Sequence, residues 1–220
     1  MAEPDVIAMP DPGRHAPWLA TRPAARSRCK RVLDLAISAP ALIFLMPMLL
    51  AIGILIRIES PGPALFRQRR GGLHGRPFVI LKFRTMRTTE DGDKIIQATR
   101  DDERVTRIGA WLRRTSLDEL PQLLNVLRGD MSIVGPRPHA LAHDQIYIDM
   151  LDGYRRRAEV KPGLTGLAQV RGLRGSTAEI EAMAARLDCD LDYIDQWTLG
   201  LDVKLILTTA KVIFEQESAY

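Results

Sequence analysis

Residues 35–56, LAISAPALIFLMPMLLAIGILI, carry no charged side chain. As a helix rising ~1.5 Å per residue this run would be roughly 33 Å long, close to the hydrocarbon thickness of a bilayer. The segment therefore predicts a membrane helix. Pro47 sits near its middle, where a proline removes one backbone hydrogen bond. Both flanks are basic, with Arg26, Arg28, Lys30 and Arg31 before it and Arg57, Arg67, Arg69 and Arg70 after it. Basic residues favour the cytoplasmic side, so charge at both ends fits a helix that enters, breaks at Pro47 and returns to the same face. A plain spanning helix with a tolerated proline kink fits the apolar pattern equally well.

After this segment the pattern changes period. PFVILKF, residues 77–83, is short, apolar and β-branched enough to predict a strand or a short buried segment. Helical periodicity recurs over 107–114, 116–128, 139–159, 177–197 and 199–214. Glycine- and proline-rich breaks separate these stretches: GPRP at 135–138, KPGLTG at 161–166 and RGLRGS at 171–176. The stretch at 199–214 is amphipathic enough to lie on a membrane surface. The helix before it carries Asp188, Asp190, Asp192 and Asp195 and is expected to face water. The expected fold is mainly α with a small amount of strand. It divides into a proline-rich mobile tail (1–25), a basic flank with the membrane helix (26–58), and a helical domain over 59–220.

Charge sharpens this picture. The chain has 220 residues and a formal net charge of +4, but residues 1–90 hold 14 basic and 6 acidic side chains whereas 91–220 hold 17 and 21. A basic N-terminal portion calls for an anionic partner such as a lipid surface. Aromatic residues make up only 5%, and no nucleic-acid motif is present, so a nucleic-acid partner is not expected. Two cysteines, Cys29 and Cys189, make neither a disulfide framework nor a metal cluster. His139 and His143 stand four apart, but Ala140 occupies the position where a metalloprotease needs its glutamate. There is no phosphate-binding glycine loop and no GxSxG turn.

The densest polar constellation is RRTSLDELPQLLNVLRGDMSIVGPRP, residues 113–138. Ser116 followed by Glu119 predicts a capping box opening a helix over 116–128, with Asp118, Gln122 and Asn125 away from its leucine stripe. Acidic residues in a first turn are also what the helix dipole prefers, so Asp118 and Glu119 have a purely structural reading. The chemical reading starts from the same dipole. Free N–H groups at a helix start attract phosphate, Arg113 and Arg114 precede it, and Arg137 follows. A carboxylate there could attack phosphorus, with Mg²⁺ offsetting its repulsion from a pyrophosphate. Lys82, Arg84 and Arg87 of LKFRTMR are further candidates for phosphate contacts, or form a basic face near anionic lipid.

ESPGPALFRQRR, LKFRTMR, SLDELPQLLNVLRGDMSIVGPRP and VKPGLTGLAQVRG, in this order behind a proline-containing apolar segment, resemble the bacterial monotopic phosphoglycosyl transferases. These are polyprenyl-phosphate sugar-1-phosphate transferases. The resemblance runs from about Lys30 to Phe214. It implies a re-entrant membrane helix, a catalytic domain on the cytoplasmic face of the bacterial inner membrane, and dependence on Mg²⁺ or Mn²⁺. It implies that Asp118 is the nucleophile, attacking the β-phosphate of a UDP-sugar and releasing UMP. Undecaprenyl phosphate would then take up the sugar phosphate. Glu119 becomes the partner of Asp118 near the metal, and Arg113, Arg137, Lys82 and Arg84 the phosphate and nucleotide contacts. Self-association is left open.

GPRPHALAHDQ and GLRGSTAEIEAMAARLDCDLDYIDQW resemble the branch that transfers glucose 1-phosphate at the start of exopolysaccharide assembly, with UDP-galactose the next candidate donor. Larger relatives carry further transmembrane helices and a soluble domain before this core, so the chain reads as a minimal form. A non-catalytic membrane-docked scaffold is the reading from a different class, and the intact Asp118–Glu119 pair argues against it. Two departures stand out. Met46 precedes Pro47 where the family often has serine, and Leu167 stands in GLAQ where tryptophan is usual.

Overall fold

The computed structural model describes residues 22–87, 102–173 and 180–217, with side chains to 212. The mobile tail expected at 1–25 lies outside the described residues up to position 21. A short turn of helix, α1 (Pro23–Arg26), leads into α2 (Arg28–Glu59). Ser27 caps α2 by accepting the N–H of Lys30. The helix contains 32 residues, ~48 Å at the usual rise. It runs unbroken through Pro40 and Pro47, so the break expected at Pro47 is not formed. Both prolines lie on the outward side, seven residues apart, so their interruptions of the hydrogen-bond ladder fall on one exposed face.

The inward stripe of α2 is not apolar throughout. Lys30, Asp34, Ser38 and Leu42 repeat every fourth residue and are buried, followed by Ile52 and Ile56. The outward side exposes Ile43, Phe44, Leu50, Ile54 and Ile58. Near its start, Lys30 Nζ pairs with Asp202 at 2.7 Å and donates to the Val134 carbonyl. Asp34 accepts the Ser132 hydroxyl at 2.9 Å and the Ile133 N–H at 2.8 Å. At its end, both Glu59 oxygens accept the Ile108 N–H. The same helix is thus fastened to the folded domain at both ends.

β1 (Leu65–Gly71) and β2 (Pro77–Phe83) form an antiparallel hairpin with Gln68 opposite Ile80 and Lys82 opposite Phe66. The strand expected at 77–83 is observed over those residues. Its partner lacks apolar alternation, since Phe66, Gln68 and Arg70 line one face while Arg67 and Arg69 point outward. α3 (Arg107–Arg114) matches its expected bounds, capped by the Thr106 hydroxyl.

The single helix expected over 116–128 is not formed. Ser116 adopts a left-handed conformation (φ 57°) and makes no side-chain cap; Leu117–Glu119 is a 3₁₀ turn, and α4 spans only Gln122–Arg128. The capping box fails because the Glu119 carboxylate is held elsewhere. Gly129, at φ 92°, ends α4, and the Arg31 guanidinium donates to the last carbonyls, Val126 and Leu127.

β3 (Ser132–Val134) pairs in parallel with β4 (Gly163–Thr165). The helix expected over 139–159 is divided: α5 (Leu141–Met150) stops before Gly153, whose φ of 80° opens a 3₁₀ turn at Tyr154–Glu159. α6 (Leu167–Val170), α7 (Ile180–Gln196) and α8 (Leu199–Glu217) complete the fold. The main core gathers Leu42, Ile80, Leu123, Val126, Tyr193 and Leu205. α7 turns Asp188, Asp192 and Asp195 to water as expected, but Asp190 is buried against Arg157. α8 exposes Leu199, Val203 and Leu207 at four-residue spacing.

Removing one member of a buried ion pair leaves the other charge unpaired. Lys30→Met should therefore cost ~3–5 kcal/mol in denaturant unfolding of the detergent-solubilised protein. The double change Lys30→Met with Asp202→Leu should recover much of that loss.

Candidate active site

Four segments meet at Glu119. Its Oε1 accepts Lys82 Nζ of β2 at 2.9 Å, and its two oxygens accept both terminal nitrogens of Arg137, from the segment after β3. Asp118 lies beside it in the same turn. No hydrogen bond or ion pair to another described residue holds its carboxylate. Arg113, on the last turn of α3, donates Nε to the Thr85 hydroxyl at 2.9 Å and contributes positive charge towards Asp118.

The two neighbouring carboxylates are driven in opposite directions. Burial pushes the Asp118 carboxyl up to about 6, the Glu119 charge adds to this, and Lys82, Arg137 and Arg113 only partly offset it. Burial acts on Glu119 in the same sense, but the charges and hydrogen bonds of Arg137 and Lys82 prevail and hold it well below the usual carboxylate range. Desolvation lowers the Lys82 ammonium from its ordinary value, against the pull of Glu119. Glu119 is thus a fixed anion that accepts three hydrogen bonds from cations, whereas the Asp118 carboxylate has no hydrogen-bond partner among the described residues.

The supports of this cluster come from outside the expected residues. Asn125 brackets β2 like an added strand: its Oδ1 accepts the Leu81 N–H at 3.0 Å and its Nδ2 donates to the Val79 carbonyl at 2.7 Å. This fixes Lys82, the next residue along. Arg157 Nη2 donates to the Arg137 carbonyl at 2.6 Å, and Arg70 Nη1 donates to the Pro138 carbonyl at 3.1 Å. Arg157 is itself held by Asp190 at 2.9 Å and by the Tyr154 hydroxyl, which donates to Asp144 at 2.6 Å. His139 belongs to this buried network through its contact with Tyr154, not to a metal site. Gly109 lets α3 pass against the chain after β2, since a Cβ there would lie 2.1 Å from the Thr85 carbonyl oxygen.

Of the sequence-derived candidates, Asp118, Glu119, Lys82 and Arg137 come together, with Arg113 beside them. Arg84 does not join. It is buried and turned away, donating to the carbonyls of Ser60 and Pro61 and so closing the turn after α2. The phosphate-binding helix start is also absent, because α4 begins four residues after Asp118. Thr85 lay inside the LKFRTMR motif, but only its basic residues drew attention. Arg157 gave no signal beyond its place in a run of three arginines.

A model of the bacterial sugar transferase family matches residues 25–216. The chain belongs to the bacterial sugar transferase family. Its catalytic-looking cluster thus sits within a match that includes α2. Relatives include the UDP-glucose:undecaprenyl-phosphate glucose-1-phosphate transferase of Caulobacter vibrioides, 56% identical over 191 residues, covering 87% of this chain and 72% of that protein. The protein of the same description from Escherichia coli is 46% identical, covering 87% of this chain but 41% of the relative. The UDP-N-acetylgalactosamine-undecaprenyl-phosphate N-acetylgalactosaminephosphotransferase of Aeromonas hydrophila is 38% identical over 188 residues, with 84% and 43% covered. The chain therefore spans less than half the length of several family members.

The opposed carboxylates give a test of sign. Asp118 binds its proton more tightly in the folded than in the unfolded state, so its ionisation costs stability above about pH 6 and nothing below its unfolded value. In chelator at pH 8, Asp118→Asn should raise stability by at most ~3 kcal/mol, with the gain gone near pH 4. Glu119 contributes stability above its unfolded value that is lost as pH falls. Glu119→Gln should accordingly lower the melting temperature at pH 8.

Proposed function

We propose that this chain transfers a sugar 1-phosphate, with glucose the preferred sugar, from a UDP-sugar to undecaprenyl phosphate and releases UMP. The observation that carries the reading is the unpartnered Asp118 carboxylate beside a Glu119 held by Lys82 and Arg137. Desolvation makes an ionised carboxylate a stronger nucleophile than it is in water. An Asp118 oxygen forms a bond to the β-phosphorus as the bond from that phosphorus to the bridging oxygen breaks, and the electron pair leaves with UMP. A phosphate oxygen of undecaprenyl phosphate then attacks the same phosphorus, and the Asp118 oxygen departs as carboxylate.

Lys82, Arg137 and Arg113 set three cations around two carboxylates, leaving positive charge for the pyrophosphate. Glu119 keeps Lys82 and Arg137 in place through both steps. Among the described residues no group of three or more His, Cys, Asp or Glu side chains is placed to hold a metal ion. The donor set nevertheless suits Mg²⁺, which binds through one or two carboxylates with substrate phosphates completing its shell. Asp118 and Glu119 would hold it: the Asp118 oxygens have no partner among the described residues, and Glu119 Oε2 accepts one hydrogen bond, from Arg137, and keeps a lone pair. When bound, the ion would neutralise pyrophosphate charge. The relatives that act on UDP-glucose support glucose as the sugar.

For the membrane segment, the fastening of α2 at both ends supports a re-entrant path from the cytoplasmic face, taken by an unbroken helix rather than by one broken at Pro47. A bilayer-spanning α2 would carry Lys30 and Asp34 to one side and Glu59 to the other. Their partners Asp202, Ser132 and Ile108 belong to the same folded domain. The outward residues of α2 and α8 would meet anionic lipid.

Continuous UMP release by the purified chain should require UDP-sugar, undecaprenyl phosphate and Mg²⁺, with no more than one equivalent released when the acceptor is left out. Without acceptor, intact-mass measurement should show one added sugar phosphate in the wild type and none in Asp118→Asn. A scaffold would give neither adduct nor UMP, and Asp118→Asn would keep its cellular role. Single cysteines placed at 22 and 70, in a chain without Cys29 and Cys189, should label from the cytoplasmic side alike. Labelling from opposite sides would refute the re-entrant path.

A further inference from the structure

The face of the hairpin that presents Lys82 also carries Gln68. Lys82 pairs with Phe66, Gln68 with Ile80, and Arg70 with Phe78, so all six side chains share that face. Its two ends are already assigned: Lys82 reaches Glu119, and Arg70 reaches the Pro138 carbonyl next to Arg137. Gln68 lies between them. It is 4% exposed, and its Oε1 is enclosed without a hydrogen-bond partner. A second amide approaches from the other wall. Asn125 faces the free edge of β2 at Val79 and Leu81, and Gln122 lies one helical turn earlier on α4, towards Glu119. Gln122 is 1% exposed, and its Nε2 is enclosed and unpartnered.

Buried amides without partners are costly, by an amount comparable to a lost hydrogen bond each, and native proteins seldom keep them idle. Here one side chain offers an acceptor and the other a donor, with Gln68 one cross-strand pair from Lys82 and Gln122 three residues after Glu119. An ionised phosphate cannot satisfy the acceptor, because it has no hydrogen to give. A hydroxyl gives and accepts, and so fits both. Resting on the reaction proposed above, the chemistry also fixes which hydroxyls come near. Asp118 attacks the β-phosphorus, to which the sugar is joined through a single oxygen, while the uracil is separated from it by the α-phosphate and the ribose.

We propose that Gln68 and Gln122 read the hydroxyls of the transferred sugar and help set which UDP-sugar is used. A buried neutral amide that bonds a substrate hydroxyl discriminates strongly against a sugar lacking that hydroxyl, because the amide is then left unpaired.

The test measures kcat/KM for UMP release by the full chain with undecaprenyl phosphate and Mg²⁺. The donors are UDP-glucose, UDP-galactose and the 2-, 3-, 4- and 6-deoxy forms of UDP-glucose. Gln68→Leu, Gln68→Glu and Gln122→Leu are compared with the wild type at matched melting temperature. The expected result is a loss of about tenfold or more with UDP-glucose in each leucine variant. For one deoxy sugar, the wild type should already show that loss and the variant should add almost nothing to it. Gln68→Glu, which keeps the acceptor, should retain more UDP-glucose activity than Gln68→Leu. An equal proportional loss with every sugar, or no loss with any, would overturn the assignment; the second outcome means that water bridges the two amides. A wild type that releases no UMP from any donor would instead overturn the transfer reaction itself, and the sugar assignment with it.

Discussion

Glu119 is the point through which the site is assembled. A carboxylate taken from water needs full compensation, and here it comes from Lys82 on a hairpin and from Arg137 on the segment after β3. The three residues are distant in sequence, so their meeting constrains the register of β2, the turn at 117–119 and the path of residues 135–138 together. Asn125 holds the first and Arg157 the third, through bonds to main chain rather than to the charged groups themselves. The outcome is an asymmetric pair of acids. Glu119 is bound by three hydrogen bonds from cations, and Asp118 by none among the described residues.

The same asymmetry explains why Ser116 does not cap a helix. A capping box would have turned Glu119 back towards the Ser116 N–H and away from the two cations. Competition between one bond to a neutral N–H and three to cationic groups goes to the cations. The chain accordingly enters a left-handed residue and a 3₁₀ turn before α4 begins. The site therefore presents side-chain cations rather than the N-terminus of a long helix.

Much of this was legible in the sequence where pattern is local. The charge-free run located α2, helical periodicity located α3, and the apolar β-branched run located β2. The motif order gave Asp118, Glu119, Lys82 and Arg137. Features decided by distant contacts were not legible. Lys30 read as part of the basic flank of a membrane segment and Asp34 carried no reading, yet both are buried by partners from 98 to 172 positions away. Arg84 looked equivalent to Lys82 because they are two apart, but the strand ends at Phe83, and beyond it the side chain turns to the carbonyls of Ser60 and Pro61. β1 hid because its inward face carries Gln68 and Arg70, and Asp190 read as one more exposed acid on α7.

The fastening of α2 also has a consequence in time. Lys30 and its partner Asp202 are 172 residues apart. At a synthesis rate of ~5–20 residues per second, Asp202 is made roughly 10–30 s after Lys30. Most of the inner face of α2 can close earlier, upon α3, α4 and β3, which are made by residue 134. The Lys30 ammonium alone waits for its counter-ion until α8 is made. The fastening at the start of the long helix is thus the last of its contacts to close.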